Sequence, residues 1–254
     1  MKRLAHAVAA AAIALAAAGP AAGADAAPDP RCAVPDALLR SGHPLPRTTA
    51  RLAAGQPLRI VAIGSSSTAG AGASRPERTY PARLEAALRA RFPAAEISVV
   101  NMGTNGERAR DMVARFPRDV IAAKADLAIW QLGTNAAMGK ANPLAFANTM
   151  RDGLDMLREN GIDVLVMSQQ YAPRFNQAPQ HAQFVALVEE VTRERKVPLF
   201  RRYEIMQHWH HGGRFTFATM LSPDGLHLND ASYGCVAALV AAQIADQVPQ
   251  RVAR

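Results

Sequence analysis

A chain of 254 residues, 49% of them hydrophobic, is long enough to bury one sizeable core, and its formal charge of +8 marks it as basic. The Lys and Arg residues are scattered, or paired with acids as in Arg83–Glu85 and in Glu189–Glu190 with Arg193–Arg195, and no long basic run carries interleaved aromatics. Nucleic acid is therefore excluded as the expected partner, whereas an anionic surface or polymer stays open.

Residues 1–24 read as a secretory signal peptide. Lys2 and Arg3 start it, an Ala-rich apolar run from Ala7 to Ala18 follows, and Ala22-Gly23-Ala24 offers a small-residue cleavage site, with Ala24-Asp25-Ala26 as the alternative. The run breaks at Gly19-Pro20 before reaching spanning length, and no later segment approaches it. Asp29-Pro30-Arg31 before Cys32 lacks the small apolar residues of a lipid-anchoring site. The expected mature protein is exported, periplasmic or secreted, with no integral membrane segment, and loss of Lys2 and Arg3 takes the charge from +8 to +6. In that oxidising compartment an even pair of cysteines, Cys32 and Cys235, is more often a disulfide than two free thiols.

Residues 25–56, rich in Pro, Ala and Arg, read as an N-terminal arm lying on the domain that follows, 57–254. Leu58 to Ile63 is an apolar run that ends at Gly64 and a hydroxyl cluster, Ser65, Ser66, Ser67 and Thr68. The run predicts a strand buried on both faces and the glycines a tight turn after it. Tyr80, Leu84, Ala87 and Leu88 recur at helical spacing, with Pro81 in the first turn and Pro93 just past the end. Ile97–Val100 is a second strand, ending at Asn101-Met102-Gly103-Thr104-Asn105-Gly106. A helix is expected from about Arg110 to Ala123, kinked or broken at Pro117.

Asp126–Leu132 is a third strand, closed by Gly133-Thr134-Asn135. Phe146, Met150, Leu154 and Leu157 mark an amphipathic helix stopped near Asn160-Gly161. Ile162–Met167 is a fourth strand, and a polar loop from Ser168 to Gln180 follows it. Phe184, Leu187, Val188 and Val191 define another helix, Val197–Phe200 a short strand, and Ala231–Val248 an apolar closing helix. Strands alternating with helices throughout imply right-handed crossovers: a three-layer α/β/α sandwich with a flavodoxin-like, doubly wound parallel sheet of about five strands.

Four segments at strand ends or just before the last helix carry chemistry-bearing residues. Ser66 follows strand one, Gly106 strand two and Asn135 strand three, and Asp224-Gly225-Leu226-His227 precedes the closing helix. Asp224 and His227, three residues apart, project to one side of a turn. The Asp accepts the imidazole Nδ1–H, leaving Nε2 to take a proton from a seryl hydroxyl that is otherwise a weak nucleophile.

In this order the segments resemble one family, the SGNH or GDSL-like esterase/lipase hydrolases, from about Arg59 to the C-terminus. Block I, Gly-Asp-Ser, stands here as Gly64-Ser65-Ser66. The resemblance implies Ser66 as nucleophile with its own N–H as one oxyanion donor. It also implies Gly106 as the block II donor, with Gly103 the near alternative, the Asn135 amide of Gly133-Thr134-Asn135 as the third donor, and Asp224 and His227 as the remaining triad. Two departures stand out: Ser65 where block I has Asp, and Ala136 where block III often has Asp. The implied activity is hydrolysis of a carboxylic ester, on a small molecule or borne on a polymer, through an acyl-enzyme and without a cofactor; acetyl or other short acyl groups on a saccharide and lipid acyl esters are the two candidate substrates. Acyl transfer to an envelope carbohydrate by the same triad and a silent binding module of the same fold are the alternatives. The local Gly-x-Ser-x-Thr is not the Gly-x-Ser-x-Gly elbow of α/β-hydrolases.

Tyr171 and Trp209 are candidates to line an acyl or sugar subsite, with packing as the alternative reading. The His208, His210 and His211 cluster matches no zinc spacing and reads as a polar loop near the cleft rather than a metal site. The loops Ala71–Thr79 and Gln169–Gln180 are expected walls of the site; Arg75, Arg78 and Arg174 there read as solvated side chains.

Overall fold

The computed structural model describes residues 29–40 and 42–249, so the signal peptide expected over 1–24 lies outside the described residues. The arm consists of a 3-10 turn at Pro30–Cys32 and two helices, α1 (Asp36–Leu39) and α2 (Pro46–Ala54). Pro46 opens α2, where a missing N–H costs nothing. The chain continues through β1 (Leu58–Gly64), α3 (Ser66–Ala69), α4 (Tyr80–Arg91), β2 (Ile97–Gly103) and α5 (Ala109–Ala114). After a π-helical turn at Pro117–Ile121 come β3 (Leu127–Gln131), α6 (Thr134–Met138), α7 (Pro143–Glu159) and β4 (Asp163–Met167). The last stretch holds α8 (Pro173–Asn176), α9 (His181–Glu194), β5 (Leu199–Phe200), α10 (Arg202–His211), α11 (Phe217–Met220) and α12 (Asp230–Ala245).

The five strands form one parallel sheet in the order β2-β1-β3-β4-β5. This is the flavodoxin-like order, and the chain reverses direction across the sheet between β1 and β3. Helices cover both faces, which is why β1 reads as an unbroken apolar run: Ile60, Val61, Ala62 and Ile63 are fully buried and only Arg59 reaches solvent. None of the helices among the described residues is long and apolar enough to cross a membrane.

Two elements differ from expectation. Pro117 divides the helix expected over 110–123, because it lacks the N–H a continuous helix needs at that point, and Arg115 and Phe116 lie in the break. The segment read as a polar His-rich loop is α10 instead. Ile205, Met206 and Trp209 recur on one buried stripe, a helical period that outweighs the polar run around it.

Helix α2 of the arm docks at the N-terminal end of the sheet, away from the strand ends that carry the candidate site. The Thr48 N–H and hydroxyl both donate to Asp163 Oδ2, at 2.7 and 2.8 Å. Asp126, just before β3, pairs with Arg47 at 2.7 Å and Arg51 at 2.9 Å and accepts the Arg59 N–H at 2.9 Å. Cys32 and Cys235 are joined by a disulfide that ties the arm to α12, and the Trp209 indole donates to the Cys32 carbonyl at 3.1 Å.

Candidate active site

Ser66 is the first residue of α3, just past the carboxyl end of β1. Of the four hydroxyl residues after Gly64, Ser65, Ser67 and Thr68 are buried and only Ser66 is half-exposed. Its N–H lies in the first turn of a helix, where no intrahelical carbonyl faces it. Ser66 Oγ lies 2.7 Å from His227 Nε2. The other imidazole nitrogen, Nδ1, meets Asp224 Oδ2. These residues, 161 apart in sequence, therefore form one continuous hydrogen-bonded line.

Asp224 is built into its own turn. Its Oδ1 accepts the Ser222 hydroxyl at 2.7 Å, the Leu226 N–H at 2.9 Å and the His227 N–H at 3.0 Å. Partial burial works to raise the carboxyl's pKa, yet the bonds from His227, Leu226 and Ser222 outweigh it and hold Asp224 well below the usual carboxylate range. It is thus an anion at neutral pH, ready to accept from the imidazole. The turn is held by an antiparallel bridge between Leu221 and Leu228, and Asn229 then caps α12 through Ser232 N–H.

Asn135, in the first turn of α6, donates its amide to the Glu107 carbonyl at 2.9 Å, which leaves the second amide hydrogen available. The two candidate glycines of the loop after β2 differ in kind. A Cβ on Gly103 would lie 2.0 Å from the Ala69 nitrogen, and its N–H already bonds Asn101 Oδ1 at 2.9 Å. Gly103 is therefore where β2 passes close under α3. Gly106, at φ +80° and exposed, has open space around it.

The block I departure has a structural counterpart that the sequence did not reveal. Gln131, fully buried at the end of β3, points its Oε1 at the turn that carries Ser66. It accepts the Ser65 N–H at 3.0 Å, the Ser65 hydroxyl at 3.1 Å and the Thr68 hydroxyl at 3.3 Å. A neutral amide on the neighbouring strand thus braces the turn from beneath. Gln131→Leu is expected to cost about 1–3 kcal/mol of stability by orphaning buried donors, with kcat falling more than KM changes; melting and ester kinetics on the purified variant check both.

Arg202, also unforeseen and fully buried, donates to the Ser168 carbonyl at 3.0 Å and to Gln170 Oε1 at 2.9 Å, and Gln170 takes the Thr134 hydroxyl at 2.9 Å. Burial pushes its pKa down to about 10, so it remains a cation at neutral pH.

The remaining expected residues are distributed as follows. Tyr171 lies half-buried after β4, its hydroxyl 3.1 Å from His211 Nε2 and its ring stacked on Phe217. Trp209 does not line a subsite: it is fully buried, packed on Phe215 and bonded to the arm, because the helical period of α10 turns it inward. His210 stacks on Phe217 with centroids 3.9 Å apart. Both expected wall loops meet the Asp224–His227 turn or the helix after it. Ser74 bonds Asp230, the Tyr233 hydroxyl donates to the Ala71 carbonyl at 2.7 Å, and Arg174 Nη1 reaches the Asp224 carbonyl at 3.4 Å.

A family model described as the non-GDSL lipase-like family matches residues 31–250. Among solved structures, a two-domain esterase (CEX) active on acetylated mannans is similar at TM-score 0.69 and 21% identity, covering 85% of this chain and 57% of that one. This chain therefore spans little more than half the length of that relative. An acetylxylan esterase from Geobacillus stearothermophilus is similar at TM-score 0.62 and 21% identity, over 76% of this chain and 97% of that one. A lipase/acylhydrolase from Enterococcus faecalis gives 0.61 and 22%, over 77% and 100%. No curated protein sequence matches. With almost all of its described residues inside the family model, the chain belongs to the non-GDSL lipase-like family.

Proposed function

We propose that the protein is an exported serine esterase that removes short acyl groups, acetyl foremost, from a saccharide. The observation that carries the mechanism is the line Ser66 Oγ, His227, Asp224, with 2.7 Å between the hydroxyl oxygen and Nε2. Ser66 Oγ attacks the ester carbonyl as its proton passes to His227 Nε2, and Asp224 stabilises the imidazolium that forms. The Ser66 N–H, the Gly106 N–H and the free Asn135 amide hydrogen receive the developing oxyanion. The imidazolium returns the proton to the leaving alcohol, and a water activated by the same imidazole then releases the acid from Ser66. Gln131 and the Asp224 turn fix the nucleophile and base before substrate arrives, so little reorganisation accompanies the attack.

The saccharide part of the reading is supported by the likeness to the mannan- and xylan-directed esterases. The disulfide supports export, and the same reading divides the chain into a signal peptide at 1–24, an arm at 25–56 and the hydrolase domain at 57–254.

The test is hydrolysis of nitrophenyl esters of increasing acyl length, and of acetylated xylan and mannan, by the purified mature protein beside Ser66→Ala and His227→Ala. Acetate release by the wild type alone, falling with acyl length, is the expected result. Equal rates in all three proteins would sink the assignment, and acyl groups recovered on added sugar acceptors instead of water would convert it to a transferase.

A further inference from the structure

The proposed oxyanion donors lie on three segments, the first turns of α3 and α6 and the loop after β2, and that loop is held by something other than packing. Gly106 has nothing within 4 Å of where a Cβ would sit, so the chain there is open on that side. Its neighbour Glu107 is gripped at both ends. The Glu107 carbonyl accepts the Asn135 amide at 2.9 Å, and its carboxylate Oε2 accepts Arg115 Nε at 2.9 Å and Nη2 at 2.7 Å. The same guanidinium donates to the Met102 carbonyl at 2.6 Å and to Asp119 Oδ2 at 2.7 Å. Arg115 sits in the helix break before Pro117, and one planar group thereby joins the end of β2, the loop after it and the π-helical turn.

These charges are largely withdrawn from solvent: the side chains of Arg115, Glu107 and Asp119 are 11%, 15% and 9% exposed, against 75% for Arg110. Bonds from Arg118 first, and then from Arg115, outweigh burial and hold the Asp119 carboxyl at about 2. A pair so placed fixes geometry more than an exposed pair does, since solvent screens it less.

We propose that Arg115 is a positioning residue of the oxyanion hole, acting through Glu107 on the Asn135 amide and the Gly106 peptide. The inference rests on the esterase reading and adds to it a residue that touches neither substrate nor triad. Arginine suits the task because its Nε, Nη1 and Nη2 address acceptors on three segments in one plane, which a lysine ammonium does not. If Glu107 is released, its carbonyl drifts, the Asn135 amide loses its fixed orientation and the adjoining Gly106 peptide is no longer held through its neighbour. The loss falls on the transition state rather than on substrate binding, because the oxyanion exists only there.

The test is a double-mutant cycle on the full-length mature protein, reading kcat and KM on nitrophenyl acetate. Asn135→Ala is expected to lower kcat about 100–1000-fold by removing one donor. Arg115→Met is expected to lower kcat roughly tenfold or more, with KM little changed and Arg115→Lys recovering only part of the loss. In the Asn135→Ala background the Arg115→Met loss is expected to shrink to about threefold or less, because the two residues act on one feature. A loss of equal size in both backgrounds, or a wild-type kcat in folded Arg115→Met, overturns the proposal. Should Arg115→Met not fold, Glu107→Gln, which keeps the shape and the carbonyl but not the charge, goes through the same cycle with the same criterion. Ser66→Ala separates failure of the esterase reading, since equal hydrolysis by it and the wild type would indict the reaction alone. In that event the clamp is read from the Asn135 side-chain amide resonance, which moves in Arg115→Met and stays in Arg110→Met; an unmoved resonance overturns the clamp.

Discussion

Asp224→Asn is expected to lower kcat on a short-chain ester about 10⁴-fold at neutral pH in a folded protein, and Ser66→Ala is expected to remove about as much or more. The asparagine substitution is the more informative because the turn dictates which way the new amide points. Asp224 Oδ1 accepts from the Ser222 hydroxyl, the Leu226 N–H and the His227 N–H, so only an oxygen is tolerated there. The amide nitrogen must then occupy the Oδ2 position, against His227 Nδ1. An NH2 group donates, so Nδ1 becomes the acceptor and the ring proton moves to Nε2. Nε2 then cannot take the Ser66 proton across its 2.7 Å contact. The backbone bonds of the turn survive, so circular dichroism and melting close to wild type are expected beside the lost turnover. A kcat within tenfold of wild type would show that Asp224 does not set the tautomer.

How much of this was legible beforehand depended on how local each determinant is. The order of the sheet was legible because each strand is a short apolar run closed by its own glycine or polar turn, and the helices between them leave few topologies. Ser66, Asn135, Asp224 and His227 were legible because each sits within a few residues of a strand end or of a cap, so a spacing pattern points to it. The bracing residues were not. Gln131 ends an apolar strand and reads like any polar strand terminus until the parallel register sets it beneath Ser65. Arg115 and Glu107 are eight residues apart across a turn, and neither helix nor strand periodicity brings them together. Arg202 carries no visible signal, since a buried cation without a carboxylate partner is the exception for its residue type. Trp209 was open to two readings, subsite lining or packing, and its burial in α10 fits the second. Its helical period with Ile205 is carried within a polar, His-rich run whose composition resembles a loop.

Removing the disulfide is expected to produce the largest loss of stability without removing activity. The bridge spans 203 residues, and in the chain-entropy model closing a loop that long restricts the unfolded chain by roughly 4–5 kcal/mol. The native state has independent reasons to survive the loss. Leu45 and Leu52 of the arm are buried, Thr48 remains bonded to Asp163, and Trp209 still donates to the Cys32 carbonyl. Both docking points of α2 lie at the N-terminal end of the sheet, whereas Ser66, Asn135 and His227 are gathered at the other end. Cys235 itself is buried in α12, a helix already capped by Asn229 and anchored through the Tyr233 hydroxyl, so the Asp224–His227 turn before it does not depend on the bridge. The cost therefore falls on the unfolded ensemble, which gains freedom, rather than on the folded site. The Cys32→Ser, Cys235→Ser double variant is expected to melt roughly 10 °C or more below wild type at 2–4 °C per kcal/mol, with kcat/KM near wild type at 25 °C. Melting curves with and without reductant check this directly: the reductant shifts the wild type towards the variant and leaves the variant alone. An unchanged midpoint would mean that the arm's own contacts, not the covalent bond, set the stability, and a collapse of kcat/KM at 25 °C would mean that α12 transmits the bridge to His227 after all.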